Sequence, residues 1–260
     1  MYEQNNQTKV TIVVHSMGGP VSLYFLNNIV TQAWKDQYIH AYIPLSGAWD
    51  GAALAMEALL SGEFDSMGLT NLTRTFQGSY WLVPSSDSLG AQHVIAEVGS
   101  DRYTTTQYDA LFQRAGITEG FTKYTNVKAI NSGWIAPNVS THCFYGLFPN
   151  TNNTPEAFIY AADGFPNNKP TSVRMGFGDT VVNAQISEIC LQWMNQSAGF
   201  TSRPFKANHT EMITDPNVLA AIGDIVGAPQ DTTSSPSGGI CPASVATVIA
   251  ATILLALLVI

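Results

Sequence analysis

The run Lys9-Val10-Thr11-Ile12-Val13-Val14-His15-Ser16-Met17-Gly18-Gly19-Pro20 decides how the rest of the chain is read. Val10 to Val14 is an apolar, β-branched segment that predicts a buried strand. It breaks at small residues, and the helix-patterned segment Val21-Ser-Leu-Tyr-Phe-Leu26 follows. A serine at such a sharp strand-to-helix turn is a nucleophile elbow, in which the tight backbone lifts Ser16 Oγ clear of the sheet edge. Gly18 allows helix and strand to approach closely, and Pro20 suits a first helical turn. The common pattern has glycine two residues before the serine, whereas this chain has Val14. Without the surrounding pattern, Ser16 would be a serine in an ordinary strand-to-helix loop.

Of the 260 residues, 45% are hydrophobic, which is ample for a core. Acidic residues outnumber basic ones by 19 to 11, for a formal net charge of -8. With no basic cluster, nucleic acid has no electrostatic footprint, and charge alone does not bind anionic lipid. No HExxH, paired CxxC or His/Asp cluster suggests a metal, and no cofactor is expected. Among the three cysteines, Cys143 follows a strand-like run and Cys190 lies in a helix-like one. A Cys143–Cys190 disulfide fits an oxidising compartment; two buried free thiols are the alternative. Asn6, Asn71, Asn138, Asn152, Asn195 and Asn208 each open an N-x-[ST] triplet, which favours the secretory pathway.

The two ends disagree. Residues 1–9 contain no apolar core of a signal peptide. At the other end, 227–244 is a linker rich in Pro, Gly, Ser and Thr, and 245–260 is an uncharged apolar tail. At about 1.5 Å per residue that tail reaches roughly 24 Å as a helix, short of a ~30 Å hydrocarbon core. It reads as a GPI-attachment signal or a membrane anchor. An interior-type strand nine residues from the start implies that earlier strands, and any signal peptide, belong to a longer protein.

Downstream, His40 to Ser46 predicts the next parallel strand, and Gly47-Ala-Trp-Asp-Gly51 a loop at its carboxyl end, where α/β sheets bind ligands. About 52–135 reads as an inserted helical cap. Val139 to Tyr145 and Ser172 to Phe177 predict two more strands, followed by a helix over 182–194. A last strand over 201–207 and a helix over 217–225 complete the pattern. The expectation is an α/β fold with a mostly parallel sheet, occupying residues 1–226 and lacking its N-terminal strands.

A serine hydrolase on this scaffold orders its residues Ser, Asp or Glu, then His. Asp179, in Gly176-Phe-Gly-Asp-Thr-Val181, and His209, in Asn208-His-Thr-Glu-Met212, both follow strand-like segments and so fall at the carboxyl edge. His209 would take the Ser16 proton and Asp179 would orient the imidazole, while the Met17 N–H would give half of an oxyanion hole. The competing readings are a turn or helix-cap aspartate and a surface-loop histidine. His15 is expected to pack beneath the elbow.

These residues resemble the lecithin:cholesterol acyltransferase and lysosomal phospholipase A family, part of the α/β-hydrolase superfamily, from about Lys9 to Ile225. The resemblance is carried by Leu23-Tyr-Phe-Leu26, Ile43-Pro-Leu-Ser-Gly-Ala-Trp-Asp-Gly51, Tyr80-Trp-Leu-Val-Pro84, Cys143-Phe-Tyr-Gly146, Gly178-Asp-Thr-Val-Val-Asn183 and His209-Thr-Glu-Met212. It implies Ser16 as nucleophile, Asp179 as acid and His209 as base. It also implies a Cys143–Cys190 disulfide and a lipid pocket at the Trp81 loop, with Trp49 and Trp81 as candidate substrate-binding residues. Val14 stands where the family has a small residue, which brings crowding to the elbow, and Asp50 stands where glycine is usual.

The expected function is that of a lipid O-acyltransferase or phospholipase A-type acyl hydrolase. It would pass an acyl group from a glycerophospholipid at a membrane surface to a sterol, a lipid alcohol or water. The expected location is extracellular or lysosomal, with membrane attachment through the tail. The alternative is a non-catalytic, membrane-tethered lipid-binding or surface glycoprotein that keeps a relic of the fold.

Overall fold

The computed structural model describes residues 2–61, 70–130 and 133–227, so the 245–260 tail, Cys241 and all of the 227–244 linker but Gly227 lie outside the described residues. Eight strands form among those residues: β1 (Val10–His15), β2 (Ile39–Leu45), β3 (Val94–Val98), β4 (Asp101–Thr104), β5 (His142–Gly146), β6 (Thr154–Tyr160), β7 (Ser172–Gly176) and β8 (Thr201–Phe205). Four of them, in the order β1-β2-β5-β8, make an all-parallel sheet. The β-branched run of β1 pairs with β2 from Thr11↔Ala41 to His15↔Leu45, which brings the two carboxyl ends level. Every residue of β1 is half-buried, whereas β2 is buried at all positions but His40. Pro204 lies in β8 at the far border, where a missing main-chain donor costs no ladder bond.

Helices Gly18–Tyr24 and Gln32–Tyr38 link β1 to β2. Thr31 caps the second of these, its hydroxyl accepting the Trp34 N–H at 3.2 Å. On one sheet face, Leu23, Leu26, Tyr42, Trp49 and Trp193 pack together; Ile43, Leu45, Phe144, Phe205 and Val218 form a second cluster. Asp215 caps the closing helix Pro216–Val226, accepting the Asn217 and Val218 N–H groups, with proline at the helix start as expected of such a position.

The segment read as a helical cap has strands as well. Between β2 and β5 run helices such as Leu54–Leu60, Gln77–Trp81, Tyr108–Arg114 and Gly120–Lys128, together with β3 and β4. A later excursion, β6 and β7, joins them in a second sheet of order β4-β3-β6-β7. Its core is continuous with the helices through Met56, Leu59, Tyr80, Ile95, Tyr108, Phe112 and Phe158. Ser172 to Phe177 is therefore not a strand of the main sheet, because β7 pairs antiparallel with β6. The helix expected over 182–194 is a short α-turn, Ala184–Ser187, that continues as a 3₁₀ helix to Asn195.

Cys143 on β5 and Cys190 on that 3₁₀ helix form a disulfide with Cα atoms 6.5 Å apart, both fully buried. The bridge closes a loop with a sequence separation of 47 residues, which contains β6, β7 and the Asp179 turn. Reducing it is expected to lower stability by about 2–4 kcal/mol, chiefly by freeing the unfolded chain. Denaturant midpoints of the oxidised and reduced protein check this, and equal midpoints would show that the bridge adds nothing. Among the described residues, no helix is long and apolar enough to cross a membrane.

Candidate active site

Ser16 follows the last residue of β1 with φ of +55°, a left-handed conformation that a serine adopts only where the surrounding chain imposes it. The restraints are visible. Ser16 N–H donates to Leu45 O at 3.0 Å, while Ser16 O accepts from Gly19 N–H at 2.9 Å and Ala48 N–H at 3.2 Å. Gly19 and Gly47 make that turn possible, since a Cβ on Gly19 would sit 3.0 Å from Gly47 Cα and one on Gly47 would sit 2.6 Å from the Trp49 ring. Gly19 thus sits at this helix–loop contact. The Val14 side chain packs against the cluster of Leu23, Leu26 and Tyr42.

Asp179 and His209 meet in a fully buried pair, with Nδ1 of the imidazole 2.7 Å from Asp179 Oδ2. The main chains are joined as well, His209 N–H donating to Asp179 O at 2.6 Å. The Asp179 turn is held by its own side chain, whose Oδ1 accepts Val182 N–H at 2.7 Å and Val181 N–H at 3.1 Å. Gly146, which ends β5, leaves room for it: a Cβ there would lie 2.7 Å from Asp179 Cβ. Burial pushes the Asp179 carboxyl up. The His209 hydrogen bond and charge, the Val182 amide and the Ser46 hydroxyl together outweigh that and hold it below the usual carboxylate value. Since Nδ1–H donates to the carboxylate, the lone pair of His209 lies on Nε2, which is buried and without a hydrogen-bond partner.

Met17 precedes helix Gly18–Tyr24, so its N–H lies at a helix start, where main-chain amides lack partners within the helix. Trp49, expected at the substrate, belongs to the core instead. It is 0% exposed, its ring packs edge-on against Trp193, and its indole N–H donates to Ser187 O at 3.2 Å. Trp81 is half-buried against the core of the second sheet, and its indole N–H is buried without a partner. Near the elbow, Met17 reaches helix Gln77–Trp81, where a Cβ on Gly78 would lie 3.2 Å from Met17 Cε. Ala48, Ala52, Leu82, Val182 and Ile186, with Met17 and Leu89 against them, make an apolar cluster between the elbow loop and the Asp179 turn.

Three supporting residues have roles that reading the chain alone does not reveal. Ser46, fully buried with φ of +45°, accepts Gly146 N–H at 3.1 Å, and its hydroxyl favours the charged form of Asp179. His15 lies against the His209 ring, with centroids 4.5 Å apart. Asp50, marked in the sequence only as a departure from glycine, is a buried anchor between the elbow loop and the segment that follows Trp81. Among the described residues, no group of three or more His, Cys, Asp or Glu is placed to hold a metal ion.

The sequence model described as lecithin:cholesterol acyltransferase matches residues 1–134. Phosphatidylcholine-sterol acyltransferase of Gallus gallus is 34% identical over 197 residues, covering 73% of this chain and 46% of that protein. Lysosomal phospholipase A and acyltransferase of Bos taurus is 30% identical over 230 residues, covering 85% of this chain and 54% of that protein. The chain thus spans about half the length of these relatives. Among solved structures, the crystal structure of the Tle4-Tli4 complex has a TM-score of 0.53 at 13% identity, covering 86% of this chain and 60% of that one; it is similar in fold alone.

Proposed function

The chain belongs to the lecithin:cholesterol acyltransferase family, and from that premise we propose that its protein is a serine acyl hydrolase or acyltransferase acting on glycerophospholipid esters. One observation carries the reading: the buried His209–Asp179 pair, joined at 2.7 Å in the chain that bends Ser16 into an elbow, with Nε2 making no hydrogen bond to Ser16 Oγ in this structure. An unsatisfied buried nitrogen costs about 1–3 kcal/mol, and a general base has a use for that open lone pair.

In the proposed reaction Ser16 Oγ attacks the ester carbonyl while His209 Nε2 takes its proton. The tetrahedral oxyanion is met by Met17 N–H. Collapse breaks the ester bond, and His209 returns the proton to the departing lysolipid oxygen, which leaves an acyl-serine. A hydroxyl of a sterol, a lipid alcohol or water then attacks, with His209 again taking and returning the proton. Asp179 keeps the imidazole in one tautomer and stabilises its charged form. The half-buried Met17, Leu89 and Trp81 side chains, at the margins of these buried clusters, are the proposed contacts for an acyl chain. A secretory-pathway compartment, extracellular or lysosomal, agrees with the buried disulfide, since such bonds persist where thiols are not kept reduced. Attachment through the apolar 245–260 tail is part of the same proposal, supported by its uncharged sequence.

A fluorophosphonate probe tests the reading directly, because it phosphonylates only an activated serine. The full-length protein is expected to label and its Ser16→Ala variant to stay unlabelled. No labelling of the wild type, or equal labelling of both, would overturn the proposal and favour a non-catalytic lipid-binding protein.

A further inference from the structure

We propose that His15, the residue before the elbow serine, is a positioning residue for His209, holding the base's main chain to the strand that delivers the nucleophile. The inference rests on the reading of Ser16, His209 and Asp179 given above and assigns a role to a fourth side chain. Its Nε2 lies 2.8 Å from the carbonyl oxygen of His209, 194 residues away in sequence. A carbonyl only accepts, so His15 donates, and its tautomer is set with the proton on Nε2. The two imidazoles also touch, with centroids 4.5 Å apart and planes inclined by 42°.

The consequence is geometric. His209 follows β8 in a loop, and loops position side chains less tightly than strands do. Its N–H is fixed to Asp179 O and its Nδ1 to the Asp179 carboxylate, which ties it to the aspartate turn. Neither bond ties it to Ser16. The His15 bond does, since His15 ends β1 and is covalently joined to Ser16. One hydrogen bond thus spans the two halves of the reacting pair.

His15 also suits this place because it stays uncharged. Burial and then the neighbouring His209 charge lower its pKa from 6.5 to about 4, against the opposing pull of the His209 carbonyl and Asp179. His209 and Asp179 are the titratable groups that face it. A neutral ring adds no second positive charge when His209 takes up the serine proton, whereas a cation there would oppose that step.

Two substitutions separate donation from bulk. His15→Phe keeps a ring against His209 and removes the donor; His15→Gln keeps an uncharged N–H of similar reach. The full-length protein is followed by the rate of fluorophosphonate labelling and, independently of activity, by the downfield proton resonance of the His209 Nδ1–H bonded to Asp179. His15→Phe is expected to slow labelling by about 10–100-fold, the scale of a misplacement of about 1 Å. It should also shift or broaden the Nδ1–H resonance, and His15→Gln should restore both. In a His209→Ala background, His15→Phe should cost no further rate, because its effect runs through His209.

The proposal is overturned if His15→Phe leaves the resonance unchanged, if His15→Gln is as impaired as His15→Phe, or if the loss persists without His209. A protein that labels normally but shows any of these results keeps its proposed activity and loses this role for His15. A protein that never labels, yet shows the resonance shift and its rescue, keeps the positioning contact and loses the activity.

Discussion

Asparagine in place of Asp179 is expected to lower the rate of serine acylation by about 10⁴-fold, the scale seen when a catalytic imidazole is left in the wrong tautomer. The structure says which way the new amide will face. Oδ1 of Asp179 accepts two main-chain N–H groups, from Val182 at 2.7 Å and Val181 at 3.1 Å. An asparagine keeps both bonds only by placing its carbonyl oxygen there, which turns its NH₂ toward His209 Nδ1. Nδ1 must then accept, the proton moves to Nε2, and the lone pair proposed to take the Ser16 proton is gone. The turn itself is retained, so the melting temperature should change far less than the rate. Fluorophosphonate labelling and turnover of a soluble ester by the full-length Asp179→Asn protein measure the loss. A loss under about tenfold would remove Asp179 from the proposed role.

The parts of this arrangement that were legible in the sequence are those set by local pattern. The β-branched run before Ser16, the apolar run before Gly47 and the strand before His209 announce members of the parallel sheet and their carboxyl ends; Asp179 follows a strand of the second sheet instead, and the structure still brings it within 2.7 Å of His209. Pairing of Cys143 with Cys190 was open on the residues alone and expected from the family resemblance; the structure shows it formed. What escaped depends on residues far apart in the chain. Ser172 to Gly176 reads as a strand, but its sheet is decided by β6, with which it pairs antiparallel, and Val173 and Met175 stay exposed on β7. β6 was hidden behind Pro155 and Glu156, residues depleted in strands. Ser46 reads as a turn serine until β5 is placed beside it and Gly146 N–H meets its hydroxyl. Trp49, an aromatic in a loop at the ligand-binding edge, is held in the core because Gly19 and Gly47 leave space for its ring.

Asp50 is the sharpest case of such distance, and removing it should have the largest effect on stability. Its Oδ2 accepts Ser85 N–H and Ser85 Oγ, each at 2.7 Å, and Ser88 Oγ at 2.6 Å, while Oδ1 meets Lys128 Nζ at 2.6 Å. Lys128 Nζ also donates to Trp81 O and lies 5.8 Å from the centre of the Tyr124 ring. Burial lowers the Lys128 pKa, with Asp50 opposing the fall by favouring the charged form. The carboxylate is 1% exposed, so its desolvation is offset only by these partners.

Truncating it to alanine leaves a buried ammonium and two hydroxyls without their acceptor. Asp50→Ala is therefore expected to cost about 3–5 kcal/mol, because the orphaned partner is penalised as well as the bond lost. For a chain of this size that is a fall of roughly 6–20 °C in melting temperature. The pair itself need not be strongly stabilising, since desolvation cancels much of its attraction. An Asp50→Leu, Lys128→Met double variant should accordingly recover most of the loss seen in Asp50→Ala. Thermal and urea unfolding of the three proteins distinguish the cases; a double variant no more stable than Asp50→Ala would mean that the ion pair itself, rather than the orphaned charge, holds the structure. The contact matters to chemistry because it fixes the Trp81–Ser88 segment to the loop directly behind Ser16. Ala52 N–H already donates to Leu82 O at 2.9 Å in the same junction. Loosening it frees helix Gln77–Trp81 from Met17, so Asp50→Ala should also raise KM for long-chain esters more than for short ones.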